Sequence, residues 1–67
     1  MGNYLLQFFE YKHLPVHLQA VSKPFHDLAH DLEKVFEKNP ETTVMFRKLL
    51  ESKDCAVRAF IFKNVTP

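Results

Sequence analysis

His26 and His30 stand four residues apart. On a helix that spacing puts both imidazoles on one face, where a pair can hold a metal ion. Glu33 follows one turn further, and His13 and His17 repeat the spacing. There is no HExxH motif and no third ligand at a persuasive distance, and solvated faces contain such pairs by chance. The sequence therefore assigns no metal. Catalysis has less support still. Cys55, the single cysteine, falls among small apolar residues, which suits an inert buried thiol. The single glycine, Gly2, leaves no glycine-rich loop to cradle a phosphate. The expectation is a protein that is not an enzyme and carries no cofactor. Lys53 is different, because it sits in the middle of an apolar stripe where an unpaired ammonium is costly. One reading is snorkelling, with the stem on the core and the amine at the surface. The other is an anion site between subunits. Tyr11 and Lys12, after Phe8 and Phe9, form an aromatic arm with a cation. It packs into a core, or it offers a base-stacking platform with a phosphate partner.

The stretch Asn39 to Phe62 must position most of these groups. Asn39 is a good N-cap, Pro40 suits the first helical position and Glu41 meets the positive end of the dipole. Helix formers follow without a break, which predicts a helix over about 40–62. At about 100° per residue, Phe46, Leu49, Leu50, Ala56, Val57 and Phe60 share a core stripe with Lys53 in its middle. Arg47, Glu51, Asp54 and Arg58 lie opposite, spaced for weak surface pairs. A third face carries Val44, Met45, Ser52, Cys55, Ala59 and Phe62, more than one partner helix can cover.

A second stripe, Leu14, Leu18, Val21, Phe25, Leu28, Leu32 and Val35, keeps one phase across Pro24, with Ala29 and Phe36 widening it. That predicts a helix over about 15–37, kinked at Pro24; a break at Ser22-Lys23 is the alternative. Lys38 alone then separates this helix from the Asn39 cap, which forces an antiparallel hairpin. Residues 1–13 are too apolar for a disordered tail. Leu5, Phe8 and Phe9 allow a short helix, and an extended arm over Glu10 to His13 is the other option. Their aromatics are expected on the third face of the long helix of a neighbouring subunit. The fold class is all-α: one domain, an antiparallel two-helix hairpin with a short N-terminal arm or helix, completed by oligomerisation.

The 67 residues, net charge of +1 and lone cysteine set the limits. A chain this short buries only about 60% of its unfolded surface and needs staples or partners. No disulfide pair or Cys/His framework supplies them, which leaves self-association. No basic run marks a site for duplex nucleic acid, no apolar run approaches a membrane span, and the N-terminus lacks the layout of a signal peptide. A cytoplasmic protein is expected.

The pattern Phe8-Phe9-Glu10-Tyr11-x-x-Leu14-Pro15, then Phe25-x-x-Leu28-Ala29, then Asn39-Pro40-Glu41-x-Thr43, then Arg47-Lys48-Leu49-Leu50-Glu51-x-Lys53-Asp54-x-Ala56-Val57-Arg58-Ala59 resembles a family of small phage proteins. These are the anti-CBASS cyclic-oligonucleotide sponges, whose hairpin domain is shared with some anti-Thoeris sponges. The resemblance covers roughly residues 8–60. It implies a hexamer built as a dimer of trimers, acting in the cytoplasm of an infected host cell. It also implies sequestration of immune signals without cleavage: cyclic dinucleotides in pockets between subunits and, in some members, cyclic trinucleotides near a threefold axis. The ligand-stacking tyrosine of the family matches Tyr11. The family's lysine on the first long helix falls near His26 here, with Lys23 close by. The second helix departs from the family ending of small residues followed by Arg, running Arg58-Ala59-Phe60-Ile61-Phe62-Lys63. The expected ligand-binding set is Tyr11, Lys12, Lys23, His26, Lys53 and Arg58. A twofold interface would supply two copies of each, one per base and phosphate of a cyclic dinucleotide. The competing expectation is a small oligomeric helical protein that inhibits or scaffolds another protein through its apolar face.

Overall fold

A computed structural model describes residues 4–65. The order is a 3-10 helix, Tyr4–Phe9, then α1, Val16–Val35, then α2, Pro40–Val65. Of the arm expected over 1–13, residues 1–3 lie outside the described chain. The two long helices pack on each other, and the 3-10 helix packs on both. His17 at the start of α1 stacks on Phe60 near the end of α2, with ring centroids 6.1 Å apart, so the hairpin is antiparallel. The molecule measures 44 × 20 × 15 Å. At about 1.5 Å per residue, α2 spans most of its length and overhangs α1 at the far end.

Local sequence explains α2 well. Thr42 N–H donates to Asn39 Oδ1 (2.9 Å), and Asn39 N–H donates to Thr42 Oγ1 (2.8 Å). This is a reciprocal capping box with threonine in the place usually held by Glu or Gln. It satisfies two donors that the first turn would otherwise leave open. Phe46 is buried, and Leu49, Leu50, Lys53, Ala56, Val57 and Phe60 are half-buried, so the expected stripe is the packed one. Met45, assigned to the third face, instead packs against the core. The rest of that face, Val44, Ser52, Cys55, Ala59 and Phe62, is exposed in the single chain. Glu51, expected to join a ladder with Arg47 and Asp54, pairs with Lys48 at 3.6 Å.

The first helix runs unbroken through Pro24. It stops at Val35, so Phe36 to Asn39 form the connection rather than Lys38 alone. Most of the expected stripe faces inward, with Leu14, Leu18, Val21, Phe25 and Leu32 half-buried and Ala29 in the core, but its far edge does not. Ser22 and Ala29 are fully buried, whereas Leu28, Val35 and Phe36 are 45%, 71% and 49% exposed. The N-terminal segment packs over Ala29. Leu5, Leu6 and Phe9 join Ala29 and Phe46 in the core of their own chain, flanked by Phe25, Leu32, Met45, Leu49 and Leu50. The expectation that these residues dock on a neighbour is therefore corrected. Small side chains at positions 22 and 29 leave room for bulky neighbours, and a fully buried Phe9 contributes roughly 1.5–3 kcal/mol. The large apolar residues one face round, Leu28 and Val35, are left outside.

Candidate functional site

Lys53 and Arg58 line a cleft of about 250 Å³ with Leu14, Ser22, Asp54 and Val57. Helix α2 presents the two cations on successive turns. The loop before α1 supplies the apolar wall at Leu14, and Val57 supplies the facing one. The loop is held by Gln19, whose Nε2 donates to the carbonyls of Leu14 (2.8 Å) and Lys12 (3.3 Å). Tyr11 starts the same turn, its carbonyl accepting from Leu14 N–H at 3.0 Å. Ser22 Oγ lies beneath the cleft, fully buried and without a hydrogen-bond partner. The amine of Lys53 is not idle: its Nζ donates to the carbonyl of Phe8. That bond caps the last turn of the 3-10 helix and leaves two ammonium protons for another acceptor. Arg58 Nη2 lies 3.3 Å from Cys55 Sγ, and the thiol expected to be buried is exposed in the single chain.

The remaining predicted residues gather on α1. The Tyr11 ring meets His26 edge-on, centroids 5.0 Å apart, and His26 meets His30 at 4.3 Å. The His26 side chain, expected on a solvated face, is only 23% exposed, because Tyr11 packs against it. Lys23 Nζ donates to Asp27 Oδ2 at 2.8 Å. That hydrogen bond, then the opposite charge, holds the Lys23 ammonium above its ordinary value. The hydrogen bonds from Lys23 and then His26 hold the Asp27 carboxyl below its own. Both side chains are about half exposed, so Lys23 can exchange partners in solvent. The Lys12 side chain is exposed.

The structure thus sorts the six predicted residues into a cleft pair, Lys53 and Arg58, and an α1 group of Tyr11, Lys23 and His26, with Lys12 projecting into solvent beside them. Sequence reasoning missed Ser22, because a serine inside a helix gives no signal of burial. It also missed Glu10, which comes within reach of the histidine pair. Ligand atoms of Glu10, His26 and His30 lie within 4.8 Å of one another. Glu10 belongs to the turn after the 3-10 helix, and only tertiary packing brings it to α1. Among the described residues no helix is long and apolar enough to cross a membrane. No family model matches the chain, and no curated protein or solved structure matches it either.

Proposed function

We propose that this chain is a phage immune-evasion sponge, which binds cyclic dinucleotides and sequesters them uncleaved in the cytoplasm of the infected cell. The cleft carries this reading: two cations on successive turns of α2 and two apolar walls. Lys53 and Arg58 would meet a phosphate, while Leu14 and Val57 cover the sugar. Tyr11, on the loop that walls the cleft, would stack a base. At about 250 Å³ one cleft falls below the roughly 300–1,000 Å³ of a typical ligand pocket. A ligand with two bases and two phosphates is therefore shared by two copies of the chain, and the resemblance extends this to a hexamer, with cyclic trinucleotides as a second ligand class. The binding of an acyclic mononucleotide would be weaker, because only one half-site would be engaged.

The test is calorimetric titration of purified protein with cyclic dinucleotides and cyclic trinucleotides, followed by heating and mass analysis of the released material. Saturable binding with intact release is expected. Arg58→Ala should weaken the complex at least tenfold without melting the helices, because the side chain is exposed. An altered product would make the protein an enzyme and overturn the reading. Absence of binding would leave the second reading, a scaffold or inhibitor of another protein. That reading draws its support from the exposed apolar residues Val35, Phe36 and Phe62.

A further inference from the structure

We infer that Glu10, His26 and His30 form a binding site for one divalent transition-metal ion, with Zn²⁺ the ion that this donor set suits best. Three observations point there independently of any nucleotide. The first is the constellation itself: two imidazoles one turn apart on α1, and a carboxylate from another element, with ligand atoms within 4.8 Å of one another. Zinc held at about 2.0–2.1 Å by each ligand places tetrahedral ligand atoms about 3.4 Å apart. The site therefore needs to contract by little more than an ångström, and Glu10 is exposed and free to change rotamer.

The second observation is the state of the histidines. His26 Nδ1 lies 3.2 Å from Asp27 Oδ1. With the proton on Nδ1, that bond fixes the ring and leaves the Nε2 lone pair free, the carboxylate–histidine arrangement that supports metal ligands. The third is unsatisfied polarity. His30 Nε2 and, one turn further along α1, Glu33 Oε2 are both buried without a hydrogen-bond partner. A buried imidazole nitrogen left unpaired costs free energy; a bound cation satisfies it, and the nearby Glu33 carboxylate contributes favourable charge. Tyr11 packs edge-on to His26 and shields one side of the site.

The donor set selects the ion. Imidazole nitrogens suit zinc and its neighbours, whereas magnesium and calcium prefer oxygen ligands. Three protein ligands leave a fourth position open to water or an anion. The bound ion would join the turn after the 3-10 helix to α1 and so hold the N-terminal segment on the hairpin. A chain of this size gains much from such a staple.

The experiment strips the full-length protein with a chelator, then titrates it with ZnCl₂ alone by calorimetry, with thermal melts alongside. One Zn²⁺ per chain is expected, with a rise in melting temperature that grows with zinc concentration. Mg²⁺ at the same concentration should neither bind nor shift the melt. Glu10→Gln should weaken zinc at least tenfold and His30→Ala should abolish the site, each with unchanged far-ultraviolet dichroism. Asp27→Asn should cost about 10–100-fold by freeing the His26 ring. His17→Ala, on the other histidine pair, should bind like the parent. Equal affinity in Glu10→Gln and the parent, equal loss in His17→Ala and His30→Ala, or no saturable zinc binding would each overturn the assignment. Glu10 and His30 lie outside the proposed nucleotide contacts, so a failure here is distinguishable from a failure of the sponge reading.

Discussion

Tyr11 and Lys53 carry more than one role each, and their substitutions separate those roles. Tyr11 braces His26 through its ring edge, and in the proposed complex it stacks a base. Base stacking is worth about 1–3 kcal/mol by alanine substitution, and about 1.4 kcal/mol is tenfold in affinity. Tyr11→Ala should therefore weaken a cyclic dinucleotide at least tenfold, whereas Tyr11→Phe should be mild, as measured by calorimetry on oligomers of unchanged size. Unaltered affinity in Tyr11→Ala would remove this residue from the site. Lys53 holds the carbonyl of Phe8. Lys53→Met keeps the stem on the core and removes the charge, so it should cost about 1 kcal/mol in a urea melt through the lost bond. An unchanged melt would mean that the ammonium makes no net contribution to holding the 3-10 helix. At this scale the sequence was partly legible. Lys53 stood out because a cation interrupted an apolar stripe. Its partner did not, because a main-chain carbonyl has no signature in the sequence.

The elements show where periodicity works and where it misleads. Asn39 and Pro40 announce the start of α2, and Asn39→Ala should cost about 1 kcal/mol. The same melt on Thr42→Val should show a comparable or larger loss, because Thr42 is buried and closes the reciprocal half of the cap. The stripe on α2 was readable because its large residues face a large partner. The stripe on α1 was readable at Phe25, Ala29 and Leu32 but not at its edges, where Ser22 is buried and Leu28 and Val35 are exposed. This yields an ordering that the pattern of apolar residues does not give: Phe9→Ala should cost about 3–5 kcal/mol, while Leu28→Ala, nearly half exposed, should cost well under half of that. Denaturant melts that reversed the order would return Leu28 to the core and undock the N-terminal segment. Glu10 escaped notice for the same reason. A ligand set drawn from two elements is invisible until the elements are packed.

The whole molecule leaves large apolar side chains uncovered on both long helices. Val44, Cys55, Ala59 and Phe62 on α2, and Leu28 and Val35 on α1, face outward in the single chain. We expect self-association, most simply to the hexamer that the resemblance implies. Light scattering that returned 7.9 kDa at micromolar concentration would reject it. Ala59→Glu should dissociate the assembly, because an unpaired carboxylate in an interface costs several kcal/mol, and it should leave the far-ultraviolet dichroism of each chain in place. Hairpin class and helix count were legible from the chain, since they depend on caps and turns close in sequence. The number of copies depends on surfaces meeting across a symmetry axis, and residue spacing does not encode that distance.

The place of Phe9 has a consequence for the chain as it is made. Its ring lies in a core completed by Phe46, so the earliest described segment of the polypeptide waits for a partner from the second half. At roughly 5–20 residues per second, that interval lasts about two to seven seconds. During it a run of leucine and aromatic side chains has no hairpin to receive it. Slow translation over 10–46 would lengthen this window, and a soluble N-terminal fusion would shield it.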